Sequence, residues 1–91
     1  MVEIRKQIDE IDREIIRLFS VRSNYVHEIV RFKTDEESVV AQERKDLVID
    51  QRGAWAEQAG LNRQTFSDMF TRLLQQNISE ELQLLRKNKR D

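Results

Sequence analysis

The sequence predicts an all-α protein, on the evidence of its composition, its apolar spacing and its helix punctuation. The 91 residues include no Pro and only two Gly, with 38% hydrophobic and 36% charged residues, a balance that favours helix. Apolar residues recur at intervals of three and four, which is the period of one helical face. The length fits one domain, residues 1–91, whose own hydrophobic core is marginal. We therefore expect three helices that need a partner chain.

The first helix is predicted to begin near Ile4 and to continue uninterrupted to Thr34. Its apolar stripe consists of Ile4, Ile8, Ile11, Ile15, Leu18, Val26 and Ile29. At 1.5 Å per residue, about 30 residues span about 45 Å, whereas a compact chain of this length has a radius of gyration of about 12 Å. The other two helices cannot cover such a length, so we predict an intertwined homodimer.

The boundaries of the second and third helices follow from residues that stop and start helices. The run "TDEES" at 34–38 is predicted to be a loop, with Ser38 or a neighbour as N-cap of a helix over about 39–59. Gly60 follows as a C-cap glycine would, and Asn62 is predicted to cap a third helix that starts near Arg63. The charged segment 34–42 is expected to be mobile and to close over a ligand.

Composition excludes several classes of function. The 16 basic and 17 acidic residues are interspersed, so the chain has no basic footprint for nucleic acid. The absence of Cys excludes disulfides and thiolate metal sites, and one His cannot form a cluster. No segment approaches the length of a membrane span, and the N-terminus lacks the apolar core of a signal peptide. We expect a cytoplasmic protein without a membrane partner. Large aromatic residues such as Trp55 are expected in the core.

Polar residues interrupt the apolar faces of the first and third helices. Arg22 and Lys33 continue the stripe beyond Leu18 and lie about 16 Å apart on one face of a straight helix. Asn77 and Glu81, at i and i+4, stand in the apolar row of the third helix. The two cations could bracket a small anion, or they could snorkel to water. Glu81 could belong to a pocket with the cations and Asn77, or it could form one interhelical salt bridge, to Arg22 or Lys33. Spacing leaves these interpretations open.

Arg5 gives a geometric indication about the dimer. It precedes Arg22 by about 25 Å and Lys33 by about 42 Å on a straight helix, so it cannot share their site within one chain. In an antiparallel dimer the start of one long helix lies beside the later part of the other. The partner subunit's Arg5 could then complete the cluster.

The segments "IRKQIDEIDREIIRLFSVR", "VRFK" and "QER", followed by a third helix with a polar pair, resemble the all-helical class of chorismate mutases over nearly the whole chain. Within that class the chain is most similar to the isochorismate pyruvate lyase branch, through "RFK", "ER" and "WAEQAGL" at residues 31–33, 43–44 and 55–61. The resemblance implies an intertwined dimer of three-helix chains, with two sites that each draw residues from both chains.

The resemblance also implies roles for individual residues. Arg22 and the partner subunit's Arg5 correspond to arginines that hold the two carboxylates of the substrate, while Lys33 corresponds to the lysine at its ether oxygen. Glu81 occupies the second ether-oxygen position, where many members have Gln. The remaining implied substrate contacts are Gln42, Glu43 near the ring hydroxyl, Asn77, and the apolar wall of Val26, Val48 and Ile78. Gln42 departs from the pattern, because mutases often carry another arginine there.

The implied reaction is the cofactor-free, metal-free rearrangement of chorismate to prephenate. Three alternatives remain: lysis of isochorismate to salicylate and pyruvate, a mutase for 4-amino-4-deoxychorismate, and a non-catalytic helical dimerisation module in which the charges only form ion pairs. An ionised Glu81 can only accept hydrogen bonds, so donation to the ether oxygen requires its protonated form. We therefore predict activity that falls as pH rises.

Overall fold

A computed structural model describes residues 1–90 of the chain, with side chains described through residue 88, and it consists of helices. Helix α1 spans Val2–Ile29 and continues into a single 3-10 turn, Val30–Phe32; α2 spans Glu36–Val40, α3 Gln42–Gln58 and α4 Arg63–Arg90. The all-α prediction and the three long helices are confirmed. The short helix α2 was not predicted.

The end of α1 differs from the predicted continuous helix to residue 33. The chain tightens into the 3-10 turn after Ile29, and Lys33 leaves it with extended backbone angles, φ −100° and ψ 135°. Lys33 is therefore not a helical residue in phase with Arg22, and the 16 Å axial separation expected for the pair does not apply.

Helix α2 lies where a loop was predicted. Asp35 caps it by accepting a hydrogen bond from the Ser38 backbone N–H at 2.7 Å, and two acidic residues occupy its first turn, where the helix dipole favours negative charge. Ser38 is therefore inside the helix and is not its N-cap. Ala41 adopts a left-handed conformation, φ 35° and ψ 63°, which separates α2 from α3 and splits the helix predicted over 39–59.

The corner between α3 and α4 has the predicted punctuation. Gly60 has φ +81°, and the Gly60 and Leu61 N–H groups donate to Glu57 and Ala56 carbonyls at 3.0 and 2.9 Å, which is a Schellman motif. Asn62 Oδ1 accepts from the Thr65 N–H at 2.8 Å and so caps α4. The corner makes α3 and α4 an antiparallel pair.

The buried core is small and lies where the 3-10 turn, α2 and α4 meet. Val30, Val39 and Leu85 are each at most 4% exposed, and Ile78, Leu82 and Leu84 pack against them. Val48 and Ala56 add a buried face on α3. Trp55, by contrast, is 51% exposed, so its predicted core position is wrong for the single chain.

The first half of α1 stands away from the rest of the chain. Residues 1–18 are all exposed, among them Ile4 at 62%, Ile8 at 51% and Ile11 at 58%. The Cα radius of gyration is 16.1 Å, against about 12 Å for a compact chain of this length. The expectation that one chain cannot cover its first helix is thus confirmed. Across residues 1–90, no helix combines the length and apolar content needed to span a bilayer.

Candidate active site

A cavity of about 180 Å³ lies where the end of α1, α2, α3 and α4 converge. Its wall is mostly aliphatic, and the apolar lining residues are Val26, Ile29, Val39, Val40, Ala41, Val48, Leu74 and Ile78. Among the described residues that line it, five are basic and one, Glu81, is acidic; the basic ones are Arg22, Lys33, Arg44, Lys45 and Arg52. A small pocket with this imbalance of charge suits an anionic ligand that also has an apolar body.

Lys33 and Glu81 form an ion pair at the cavity. Lys33 Nζ donates to Glu81 Oε1 at 3.0 Å, and their side chains are 22% and 7% exposed. The lysine comes from the extended residue after the 3-10 turn, and the carboxylate comes from the middle of α4. The predicted salt bridge of Glu81 thus goes to Lys33. Because the pair is mostly desolvated, removal of either partner would leave an uncompensated charge.

Arg22 contacts a neutral partner. Its Nη1 donates to Asn77 Oδ1 at 2.6 Å across the α1–α4 contact. Asn77 and Glu81 are only 6% and 5% exposed, which confirms that these two polar residues of α4 face inward. The amide orients the guanidinium without neutralising it, so Arg22 keeps its full charge available for a ligand.

The arginines of α1 and α3 are close enough to perturb one another. Burial lowers the pKa of Arg22, the neighbouring charge of Arg52 lowers it further, and Glu81 acts in the opposite direction. Burial and then Arg44 lower the pKa of Arg52. In the part of the chain that the structure describes, these three arginines form no ion pair. Like charges gathered without a carboxylate partner favour the binding of an anion.

Seven of the residues predicted from the sequence come together at this cavity: Arg22, Val26, Lys33, Val48, Asn77, Ile78 and Glu81. The sequence analysis missed Arg44, Lys45 and Arg52. A signal for two of them existed, because Arg44 and Arg52 lie four residues before and after Val48 and so share its helical face. The roles of the seven predicted residues toward a ligand remain predictions.

Gln42 and Glu43 are not brought to this cavity. They line a separate open depression with residues of α2, and Gln42 Nε2 donates to Asp46 Oδ1 at 2.8 Å. The physical reason is the left-handed turn at Ala41, which starts α3 in a phase that directs Arg44, Lys45 and Val48 inward. The predicted substrate contacts of Gln42 and Glu43 remain predictions.

Arg5 lies near the exposed start of α1, about 25 Å along the helix from Arg22, as expected for a residue that could act only in a second chain. Closer to the cavity, His27 Nε2 and Glu80 Oε2 lie 2.8 Å apart and link α1 to α4. Hydrogen bonds from Gln76 and then His27 lower the pKa of Glu80. These contacts hold the end of α1 against α4, which positions Arg22.

Comparison with known proteins gives matches over most of the chain. Residues 4–82 match the family model described as chorismate mutase type II. An isochorismate pyruvate lyase of Pseudomonas aeruginosa is 30% identical over 89 residues, which cover 98% of this chain and 88% of that protein. The T-protein of Haemophilus influenzae is 29% identical over 82 residues, which cover 89% of this chain and 22% of that protein.

Proposed function

The chain belongs to the chorismate mutase type II family, and from this premise we propose that it is a cofactor-free pericyclic enzyme that rearranges chorismate to prephenate. The observation that carries the proposal is the cavity, in which five basic side chains and one carboxylate surround an aliphatic wall. Chorismate has the matching chemistry: two carboxylates, an apolar ring and an enolpyruvyl ether.

The rearrangement is a unimolecular [3,3] shift, so the protein needs to hold one conformation and stabilise developing charge. Arg22 would bind a carboxylate through its planar guanidinium, which Asn77 already orients at 2.6 Å. The aliphatic wall that includes Val26, Val48 and Ile78 would confine the ring and hold the enolpyruvyl group over it.

Lys33 and Glu81 would act at the ether oxygen. Negative charge develops there as the C–O bond breaks, and a preorganised ammonium group in a desolvated pocket stabilises that charge. Glu81, 3.0 Å from Lys33 Nζ, fixes the position of the ammonium group. In its protonated form Glu81 would donate a second hydrogen bond to the same oxygen.

We further propose that the chain, as a single domain over residues 1–91, works as an intertwined homodimer; Asp91 lies outside the described residues. The support is the exposed apolar stripe at the start of α1, where Ile4, Ile8 and Ile11 are each at least 51% exposed. Packing of two such helices in antiparallel orientation would bury the stripe and bring the partner subunit's Arg5 toward the cavity.

Lysis of isochorismate to salicylate and pyruvate is the second candidate. It is favoured by the match of 98% of this chain to an isochorismate pyruvate lyase, and by Gln42, at a position where mutases often carry arginine. This reaction breaks the same type of C–O bond while a ring hydrogen transfers to the methylene carbon of the leaving enolpyruvate. The same cations would serve both reactions.

The experiment is to supply chorismate and isochorismate separately and to follow prephenate, salicylate and pyruvate, with Arg22→Ala as the control. Prephenate formation at the higher kcat/KM supports the mutase. Dominant salicylate and pyruvate formation supports the second candidate. A folded wild-type protein that converts neither compound contradicts both.

A further inference from the structure

Arg52 reaches the cavity from α3 and is held by its own helix. Its guanidinium carbon lies 4.5 Å from the centroid of the Trp55 ring, at i+3, and its Nη1 donates to Gln51 Oε1. Together with Arg22 it borders both the cavity and the adjoining groove that Trp55 lines. A long flexible side chain is thereby placed at a defined position beside a second guanidinium.

The charge around Arg52 is unbalanced. No ion pair to Arg52 or Arg22 occurs within the described residues, although both line a cavity that contains the carboxylate of Glu81. Glu81 is hydrogen-bonded to Lys33, so it acts on Arg22 only through its charge and forms no ion pair with either arginine. Two partly buried guanidiniums that face one pocket repel each other until an anion lies between them.

We propose that Arg52 is a further substrate-binding residue, which holds a carboxylate of the substrate together with Arg22, and that Trp55 is the positioning residue that fixes the Arg52 guanidinium. The inference rests on the proposed function for the identity of the substrate. The binding of a carboxylate does not depend on the proposed function, because the two unpaired guanidiniums favour a carboxylate whichever compound is the substrate. Gln42, at the start of the same helix, donates to Asp46 and does not line the cavity that Arg52 borders.

Trp55, which is half exposed, provides an aromatic platform for Arg52. A cation above the face of an indole ring is attracted by the ring quadrupole, and the planar guanidinium stacks there while its edge stays free to donate hydrogen bonds. If the side chain of Arg52 were free in solvent, binding would have to restrict it first. The stack on Trp55 restricts it before the ligand arrives.

The test compares Arg52→Gln and Arg52→Lys with Arg63→Gln, a matched control whose guanidinium pairs with Asp50 and Glu57 outside the cavity. With whichever compound the wild type converts, Arg52→Gln should raise KM about 10- to 100-fold, the range expected for a lost charge-assisted hydrogen bond, with a smaller change in kcat. Arg52→Lys should recover part of this loss, and Arg63→Gln should keep the wild-type KM.

Trp55 is tested by rescue. Trp55→Leu should raise KM in the same direction as Arg52→Gln, and Trp55→Phe, which keeps an aromatic face, should recover most of the wild-type KM. If Trp55 only packs against its neighbours, both variants should have a lower Tm and an unchanged KM. That result would overturn the assignment of Trp55 as a positioning residue.

A binding measurement separates this inference from the proposed function. Succinate, a dicarboxylate, should raise the Tm of the wild type and of Arg63→Gln more than its uncharged diamide, succinamide, does at equal ionic strength, and Arg52→Gln should abolish that difference. If the wild type converts substrate and Arg52→Gln leaves KM and the succinate effect intact, the inference is wrong and the proposed function stands. If no substrate is converted but the succinate effect requires Arg52, the proposed function fails and the carboxylate site stands.

A structural role for Arg52 at a dimer interface gives a different result. Arg52→Gln would then weaken the dimer in sedimentation experiments, while KM measured at protein concentrations that keep the dimer intact would equal that of the wild type. That combination would also overturn the inference.

Discussion

Glu81 brings a carboxylate to a site where the proposed reaction builds negative charge, and its protonation state decides what it contributes. Protonated Glu81 donates a hydrogen bond, whereas ionised Glu81 only accepts one and is then confined to orienting Lys33 at 3.0 Å. Glu81→Gln carries an amide that can always donate a hydrogen bond. If donation is the role of residue 81, this variant should therefore keep at least the kcat/KM of the wild type.

The kcat/KM values of the wild type and of Glu81→Gln, measured side by side in one buffer, check this expectation. Asp68→Asn is a suitable control, because Asp68 is an exposed carboxylate of the same helix outside the cavity. If Glu81→Gln is inactive while its helix content is unchanged, Glu81 is not a hydrogen-bond donor in the reaction.

At the residue scale, the sequence identified which polar residues interrupt the apolar faces, but it did not predict all of their positions in space. Arg22, Asn77 and Glu81 stood out because a polar side chain in an apolar row needs a partner, and the structure supplies those partners. The position of Lys33 was predicted wrongly, because the prediction continued the helix through residue 33 and the helix ends before it. Arg52 was missed because, on a helix as charged as α3, an inward arginine has the same local pattern as an outward one.

Among the helices, the α3–α4 pair shows how a glycine determines a packing distance. A Cβ on Gly53 would overlap Ser67 Oγ and lie 3.1 Å from Arg63 Cγ. Inside a helix, alanine is normally more stable than glycine by about 1 kcal/mol. At position 53 the overlap is expected to outweigh this gain, so Gly53→Ala should destabilise the protein by about 1 to 3 kcal/mol, as at other overpacked sites. Urea unfolding measures the change.

The second variant at this contact is Ser67→Ala, which removes the overlapping hydroxyl. Gly53→Ala combined with Ser67→Ala should be more stable than the sum of the single effects predicts, because the two side chains compete for one space. Strict additivity, or a Gly53→Ala protein more stable than the wild type, would show that the helices adjust freely and that Gly53 does not determine their approach.

Helix boundaries were predictable where a single residue type marks them locally in the sequence. Gly60 and Asn62 mark the α3–α4 corner in the sequence, and the hydrogen bonds of that corner follow. Helix α2 was missed because its five residues are too few for a period to show, and its capping residue, Asp35, lies within a run of polar residues. Burial of Val39 and a 3.0 Å contact between Arg86 and Glu36 hold α2 in place, and both depend on a distant part of the chain.

For the whole molecule, the exposed stripe of α1 predicts the state of assembly. Ile8→Glu and Ile11→Glu place charges on the stripe, so each should shift the protein toward monomer and reduce activity as the partner subunit's Arg5 is withdrawn. Glu10→Lys is the control, because position 10 lies off the stripe. Sedimentation velocity measures the change, and a wild type that is monomeric at assay concentrations would contradict the proposed dimer.

The extended shape was predictable from one number, the length of the first helix, because nothing else in a chain of this size can cover it. The resemblance to the chorismate mutases, recognised from the sequence, is confirmed by the match over residues 4–82. The residues of α3 that line the cavity depend on the phase in which α3 begins after the left-handed Ala41, and no local pattern in the sequence specifies that phase.

In the proposed function Arg22 and Lys33 serve a reaction and are not merely parts of a buried ion-pair network in a helical dimerisation module. The most direct measurement is turnover of chorismate and isochorismate by Arg22→Met and Lys33→Met, with far-UV circular dichroism to monitor folding. We predict that each folded variant loses turnover by about 100-fold or more, the scale seen when a group that stabilises developing charge is removed. Folded variants that retain wild-type turnover would contradict this proposal, because turnover does not require charges whose only role is structural.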